Sequence, residues 1–172
     1  MKNLYINTRF FFALIGVGIL YVFAFFFPFL MWLAHAVLLL SFLAAMVEYL
    51  LLFNEKNGIS AQRILPEKLS NGDENPVKVD IRNNYNFTLN VRVIDEIPFQ
   101  FQKRDFLIEK QIERGRNSYF QYILEPKERG EYSFGNLNIY VSSPVGFISR
   151  RFTFQKDALL PFLSVIHPPQ EV

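Results

Sequence analysis

The sequence predicts an α+β membrane protein, in which an N-terminal two-helix transmembrane hairpin is followed by an all-β, immunoglobulin-like sandwich. Three observations predict this fold class. The segment from Phe10 to Phe53 is almost entirely apolar and contains one charged residue, Glu48. Beyond Gly58 apolar and polar residues alternate, as in strands that bury one face. Turn-forming Asn, Gly and Pro residues separate the alternating stretches at the short spacing typical of sandwiches.

The first transmembrane helix is predicted over residues 10–27, which as a helix span about 27 Å, close to the thickness of the hydrocarbon core. Pro28 ends this run, and the second helix follows over about residues 29–50 of the apolar segment 10–53. A charge is costly in mid-bilayer, so Glu48 is placed at the membrane surface.

A cleaved signal peptide is rejected for this segment. Its only small-x-small site, Ala34-His35-Ala36, lies inside the apolar sequence, and the apolar core is too long for a signal peptide. His35 is interpreted as a neutral residue near the tip of the hairpin, because the span holds no second ionisable group that could exchange a proton with it.

The distribution of basic residues predicts the orientation of the hairpin. Both of its flanks are basic, through Lys2, Arg9, Lys56, Arg63 and Lys68. The tip around Pro28 carries no charge. Because positively charged flanks remain in the cytoplasm, residues 1–9 and the sandwich are both predicted to be cytoplasmic.

The sandwich is predicted over residues 59–156. Its seven strands are expected at about residues 59–65, 76–82, 88–95, 105–112, 118–124, 131–141 and 147–155. Tyr85 falls in a predicted turn between two of them, where loss of its hydroxyl is expected to change stability little.

A charged turn, LEPKERGEYSFG, could serve either catalysis or architecture. It is interpreted as a tyrosine corner formed by Pro126, Arg129, Gly130 and Tyr132, in which the tyrosine hydroxyl bonds to backbone a few residues upstream. A catalytic pair needs two carboxylates in a cleft, one of them with a raised pKa. Here the acidic residues alternate with Lys127 and Arg129, as they do on a solvated turn.

Composition argues against several functional classes. Two of the 18 basic residues and one of the 16 acidic residues precede Asn54, so the remainder carries 16 against 15, without the basic excess of a nucleic-acid binder. The absence of cysteine excludes disulfides and thiol chemistry. Two histidines, His35 and His167, cannot form a metal site, and no nucleotide-binding loop or catalytic triad is present. No cofactor and no enzymatic activity are therefore predicted.

Several basic residues could contact a protein partner or lipid headgroups. They are Lys103, Arg104, Arg114, Arg116, Arg150 and Arg151. The alternative is that they belong to solvated loops or protect edge strands from pairing with another chain.

Three segments carry a resemblance to a known family. The first runs from Arg63 to Asn83 and includes Leu65-Pro66 and Glu74-Asn75-Pro76-Val77; the others read YILEPKERGEYSFG and SSPVGFISRR. Behind a two-helix N-terminus, these segments resemble the N-terminal half of the bacterial family called domain of unknown function 58. Members of that family have a membrane hairpin, a β-sandwich and then a von Willebrand A-like domain.

This resemblance implies a membrane-anchored scaffold of the bacterial inner membrane that is a partner of a MoxR-type AAA+ ATPase. The metal-binding pattern Asp-x-Ser-x-Ser of the von Willebrand A-like domain does not occur here. Residues 157–172 are therefore expected to be a linker to a C-terminal domain missing from this chain. The rival hypothesis is an envelope-facing immunoglobulin-like module that contacts surface proteins or glycan.

Overall fold

Residues 3–54 form a short strand and then an antiparallel helical hairpin in the computed structural model, which describes residues 3–66, 74–101, 107–126, 132–154 and 158–160. The helices are α1, Thr8–Phe26, and α2, Leu30–Asn54. Between them the chain turns at Pro28, whose carbonyl accepts a hydrogen bond from the Met31 N–H at 3.1 Å. Proline is disfavoured within a helix, so the predicted break between the two helices lies at this turn.

Small residues allow the two helices to pack closely. Ala24 on α1 and Ala34 and Ser41 on α2 are buried, whereas many of the large apolar side chains point outward. Phe25 is 81% exposed and Trp32 is 85% exposed. By length and composition, both helices could cross a membrane.

Ten short strands and one 3₁₀ turn account for the regular structure outside the helices among the described residues. They are β1 Leu4–Ile6, β2 Ile59–Ile64, β3 Asn75–Asn83, β4 Leu89–Asp95, the 3₁₀ turn Phe99–Phe101, β5 Leu107–Ile112, β6 Asn117–Leu124, β7 Tyr132–Phe134, β8 Leu137–Ser142, β9 Ile148–Phe154 and β10 Ala158–Leu160.

Two antiparallel sheets enclose the core. One has the order β1-β9-β8-β4-β5 and the other the order β2-β3-β6, while β7 pairs with β10. Along β3 buried and exposed residues alternate without interruption, as the period-two pattern predicts. Val79, Val91 and Ile139 are among the fully buried side chains between the sheets. The two helices followed by a β-sandwich agree with the predicted order of elements.

The segment of residues 1–9 was predicted only as a tail, but its residues Leu4–Ile6 form a strand. In β1, Tyr5 lies opposite Ser149 of β9, so the chain that precedes α1 extends the five-stranded sheet. A three-residue strand is too short to show an alternating pattern in the sequence. β10 likewise lies inside the segment predicted as a linker, where its backbone pairs with β7.

The strand predicted over residues 131–141 is divided into β7 and β8. At the break, the Glu96 carboxylate accepts a hydrogen bond from the Asn136 N–H at 2.8 Å, and the Glu96 carbonyl accepts one from the Gly135 N–H at 2.9 Å. A Cβ at Gly135 would lie 2.5 Å from the Glu96 carboxylate, so a residue with a side chain would require Glu96 to move. Before the break β7 pairs with β10, and after it β8 pairs with β4 and β9. Both strands retain the predicted alternation.

Candidate functional site at the junction of helices and sandwich

Glu48 of α2 is buried at 2% exposure, and its carboxylate joins the helix to the sandwich. Oε1 accepts hydrogen bonds from the Ser143 N–H at 3.2 Å, the Ser143 hydroxyl at 2.7 Å and the Gly146 N–H at 3.1 Å. Oε2 accepts the N–H groups of Phe147 and Ile148 at 2.8 and 3.0 Å. Five donors from one loop stabilise this negative charge. The prediction that Glu48 lies at the membrane surface therefore missed its main contact, which is with the sandwich.

The loop of residues 143–148, which we call the clamp loop, has a sequence suited to presenting these donors. The Ser143 hydroxyl also accepts a hydrogen bond from the Val145 N–H at 3.2 Å, which tightens the turn. Gly146 has φ +72°, a backbone conformation that favours glycine. Its open side faces Arg9, whose Nη1 would lie 3.0 Å from an added Cβ.

The residues at the start of α1 contact the clamp loop from another side. The Asn7 N–H donates to the Phe147 carbonyl at 2.8 Å, and its side-chain amide donates to the Gly146 carbonyl at 3.0 Å. Arg9 Nη1 lies 3.3 and 3.4 Å from the carbonyls of Pro144 and Val145. The clamp loop is therefore bonded to both helices of the hairpin.

The C-terminal end of α2 is bound by a second group of residues, Tyr85 and Arg150. The Tyr85 hydroxyl donates to the Leu52 carbonyl at 2.6 Å. Arg150 Nη1 donates to the carbonyls of Leu52 and Glu55 at 2.5 and 2.6 Å, and its guanidinium lies 4.9 Å from the ring centre of Phe53. A cation that bonds to the last carbonyls of a helix also interacts favourably with the helix dipole.

The position of Tyr85 argues against the small effect that was expected from its place in a turn. Its side chain is 1% exposed and lies in the core, next to Gly58, where an added Cβ would come within 2.2 Å of the tyrosine ring. Burial raises the pKa of the Tyr85 hydroxyl, and the charge of Arg150 opposes that rise. The turn assignment was correct for the backbone, but the ring points inward and reaches the end of α2.

Tyr85→Phe is expected to lower the free energy of unfolding of the full chain by about 1–2 kcal/mol, because a buried hydrogen bond to the end of α2 is lost. The measurement is urea-induced unfolding in detergent. Tyr119→Phe is the matched control, since Tyr119 is 67% exposed, and should change the value by no more than about 0.5 kcal/mol. Equal shifts for the two variants would contradict the role given to Tyr85.

The tyrosine corner lies partly outside the described residues, since Arg129 and Gly130 are not among them. Pro126 is buried, and Tyr132, at 2% exposure, begins β7 with its ring 4.9 Å from that of Phe101. Burial of this ring agrees with the corner hypothesis. The hydrogen bond from its hydroxyl to backbone upstream stays a prediction.

The basic residues singled out by the sequence have separate contacts where the structure describes them. Lys103 and Arg104 lie outside the described residues. In the β5–β6 turn Arg114 is exposed and Arg116 pairs with its neighbour Glu113 at 3.3 Å. Arg150 is engaged with α2, and Arg151 lies 5.6 Å from the ring centre of Tyr5.

A buried ion pair that was not expected from the sequence links the two sheets. Arg63 of β2 and Asp95 of β4 form a two-point contact at 3% and 4% exposure, and Arg63 Nη2 also donates to the Gly135 carbonyl at 3.2 Å. The Tyr122 hydroxyl donates to Asp95 Oδ2 at 2.6 Å. Burial, reinforced by the charge of Asp95, raises the pKa of Tyr122. Arg63 is therefore an internal residue, not one of the free charges that flank the hairpin.

The polar groups of the junction hold the helices and the sandwich together. Its carboxylate is saturated by hydrogen-bond donors, and its guanidinium is bonded to helix carbonyls. Across the part of the chain that the structure describes, no three side chains of the kinds that bind metals lie together. The arrangement therefore fixes the direction in which the sandwich projects from the hairpin.

Comparison with known proteins gives likenesses in the sandwich. A PapD-like domain of human CEP192 is 9% identical, with a TM-score of 0.45, over 63% of this chain and 87% of that one. The CARDB domain of a Pyrococcus furiosus protein is 10% identical, with a TM-score of 0.37, over 56% of this chain and 93% of that one. A Porphyromonas gingivalis protein of unknown function is 16% identical, with a TM-score of 0.39, over 67% of this chain and 51% of that one. No protein-family model and no curated protein matches the sequence.

Proposed function

We propose that the protein is a non-enzymatic, membrane-anchored scaffold that holds its sandwich in a fixed orientation on a transmembrane hairpin. The observation that carries this proposal is the contrast between two regions of the helices. Away from the sandwich, large apolar side chains such as Phe25 and Trp32 are almost fully exposed, whereas at the junction Glu48 is buried and bonded. Such a large apolar surface is costly in water and favourable in lipid.

The position of Glu48 supports a bilayer surface close to the junction. The part of α2 that precedes it, residues 30–47, rises about 27 Å, which is close to the hydrocarbon thickness. A carboxylate at that depth is stabilised by the amides of the clamp loop instead of by water. The sandwich would then lie directly against the membrane surface.

The cytoplasmic side is favoured by the positions of basic residues in the sequence. Lys2, Arg9 and Lys56 flank the hairpin, and the tip around Pro28 carries no charge. Pairing of β1 with β9 supports a hairpin, because it brings the chain before α1 to the same side as the sandwich. We propose the inner membrane of a bacterium, in keeping with the family resemblance.

A protein partner is proposed from the family resemblance. The outer face of the three-stranded sheet is open to such a partner: Ile64 of β2 and Tyr119 and Ile123 of β6 are 44%, 67% and 39% exposed, among polar residues such as Lys78 and Gln121. The resemblance to the domain of unknown function 58 family makes a MoxR-type AAA+ ATPase the first partner to test.

Labelling of single cysteines tests both the anchoring and the side of the membrane. The chain has no cysteine, so Arg114→Cys in the exposed β5–β6 turn introduces its only thiol. A membrane-impermeant maleimide is expected to label it after lysis and not in cells with an intact inner membrane. Pro28→Cys at the hairpin tip should give the opposite pattern.

Two outcomes would contradict the proposal. Release of the full chain from membranes by alkaline carbonate would show that the helices do not span the bilayer. Labelling of Arg114→Cys in intact cells would place the sandwich outside the inner membrane. That second result would favour the envelope-facing module that contacts surface proteins or glycan.

A further inference from the structure

A polar groove of about 690 Å³ lies on the outer face of the five-stranded sheet, beside the start of α1. Its walls come from β1, β4, β5, β8 and the first residues of α1. The groove borders the junction at Asn7, Arg9 and Gly146, but the described strand residues that form most of its lining make no hydrogen bond to Glu48 or to the end of α2. The groove is therefore a separate feature that the scaffold role does not require.

The charge lining this groove is positive. Arg9 and Arg92 line it together with one acidic residue, Glu109, whereas Lys110 contributes only from the edge, because its ammonium lies 5.9 Å from the ring centre of Phe120 in the other sheet. The Arg92 Nε group donates to Glu109 Oε1 at 2.7 Å, but the two side chains are 53% and 61% exposed, and such exposed pairs contribute little. Arg92 can therefore turn toward an anionic ligand at low cost.

Neutral polar and aromatic groups complete the lining. Asn90 and Gln111 add amide groups and Ser142 adds a hydroxyl next to the basic residues. The rings of Tyr5 and Tyr140 pack edge to face, with 5.2 Å between their centres, and form one side of the groove. Guanidinium groups combined with neutral donors are the chemistry by which proteins bind phosphate oxygens.

We propose that this groove binds the phosphate of an anionic phospholipid headgroup. The inference rests on the proposed function, because Thr8 and Arg9 line the groove and also begin the helix that would enter the bilayer. That placement puts the groove at the depth of the lipid phosphates. A basic pocket at this depth attracts anionic headgroups more strongly than zwitterionic ones.

The test measures binding of dioctanoyl phosphatidylglycerol to the detergent-solubilised full chain by native mass spectrometry. Dioctanoyl phosphatidylcholine and inorganic phosphate serve as comparison ligands. Binding of phosphatidylglycerol is expected to weaken about tenfold in Arg9→Gln/Arg92→Gln, because two charged contacts are lost. Arg92→Gln alone leaves the junction intact and should weaken binding in the same direction. Arg82→Gln, on the exposed face of the other sheet, is the matched control.

The proposal is overturned if phosphatidylglycerol and phosphatidylcholine bind equally, or if Arg82→Gln has the same effect as Arg92→Gln. It is also overturned if inorganic phosphate competes as strongly as the lipid, since the groove would then be a site for soluble phosphate. Carbonate extraction, measured separately, distinguishes this failure from failure of the membrane anchor. A chain that stays in the membrane without preferring phosphatidylglycerol contradicts the lipid site alone.

Discussion

Glu48→Ala is expected to destabilise the full chain by about 3–5 kcal/mol, because it removes the acceptor of five donors in the clamp loop. Each buried N–H left without a partner retains the cost of its lost hydration. The effect should be local as well as large. Hydrogen exchange at the amides of Gly146, Phe147 and Ile148 should accelerate strongly, whereas amides of the central strand β3 should remain protected.

One further variant separates the charge of Glu48 from its shape, and a second is a control. Glu48→Gln keeps the volume but presents an NH₂ group to N–H donors, so it should lose more than half of the stabilisation. Glu109→Ala is the control, because that carboxylate is exposed and should change stability by no more than about 1 kcal/mol. Unchanged exchange at Gly146 and Phe147 in Glu48→Ala would contradict the clamp.

The strands were predictable because each buries one face and exposes the other. β3, β4, β6 and β9 lie within about two residues of the predicted bounds, since alternation of apolar and polar residues determines which face a strand buries. The hairpin was predictable for a simpler reason. Two uninterrupted apolar runs separated by Pro28 permit few other structures.

The junction was not predictable, because it is formed by residues far apart in the chain. Glu48 and its partners in the clamp loop are separated by 95 to 100 positions, and the local sequence of neither segment indicates that the two are in contact. One signal was available on α2. Glu48 falls one heptad after Ser41, on the face of the helix that also buries Ala34, and that spacing indicates an inward position.

Short elements were missed for a related reason. β1 has three residues, and pairing with β9, not a pattern of its own, makes it a strand. Tyr85 shows the same limit for single side chains. A turn sequence determines the path of the backbone, but it does not determine whether an aromatic ring on that turn faces water or the core.

The separate contacts of the junction together explain how a scaffold could keep one orientation. The clamp loop binds α2 through Glu48 and the start of α1 through Asn7, while Arg150 binds the end of α2. A domain tethered by a flexible linker would sample many directions. Here both ends of the hairpin are bonded to one end of the sandwich, so any partner surface on the sandwich would face a fixed direction relative to the membrane.

Asp95→Asn is expected to destabilise the chain by about 3–5 kcal/mol, because it leaves the buried guanidinium of Arg63 without its carboxylate. The alternation of β2 was a signal that Arg63 is buried, since it occupies the same inward face as Ile59, but it did not indicate the partner, Asp95. Because Arg63 lies in one sheet and Asp95 in the other, the loss should loosen the contact between the sheets. Urea-induced unfolding in detergent measures the change.

The double variant Arg63→Met/Asp95→Asn is the decisive comparison. It removes both charges, keeps an acceptor near the Tyr122 hydroxyl and is expected to recover at least about half of the loss. Arg92→Met, at the exposed pair with Glu109, is the matched control and should cost no more than about 1 kcal/mol. If the double variant is no more stable than Asp95→Asn, the cost lies in packing or in the Tyr122 hydrogen bond, and the buried charge of Arg63 is not its cause.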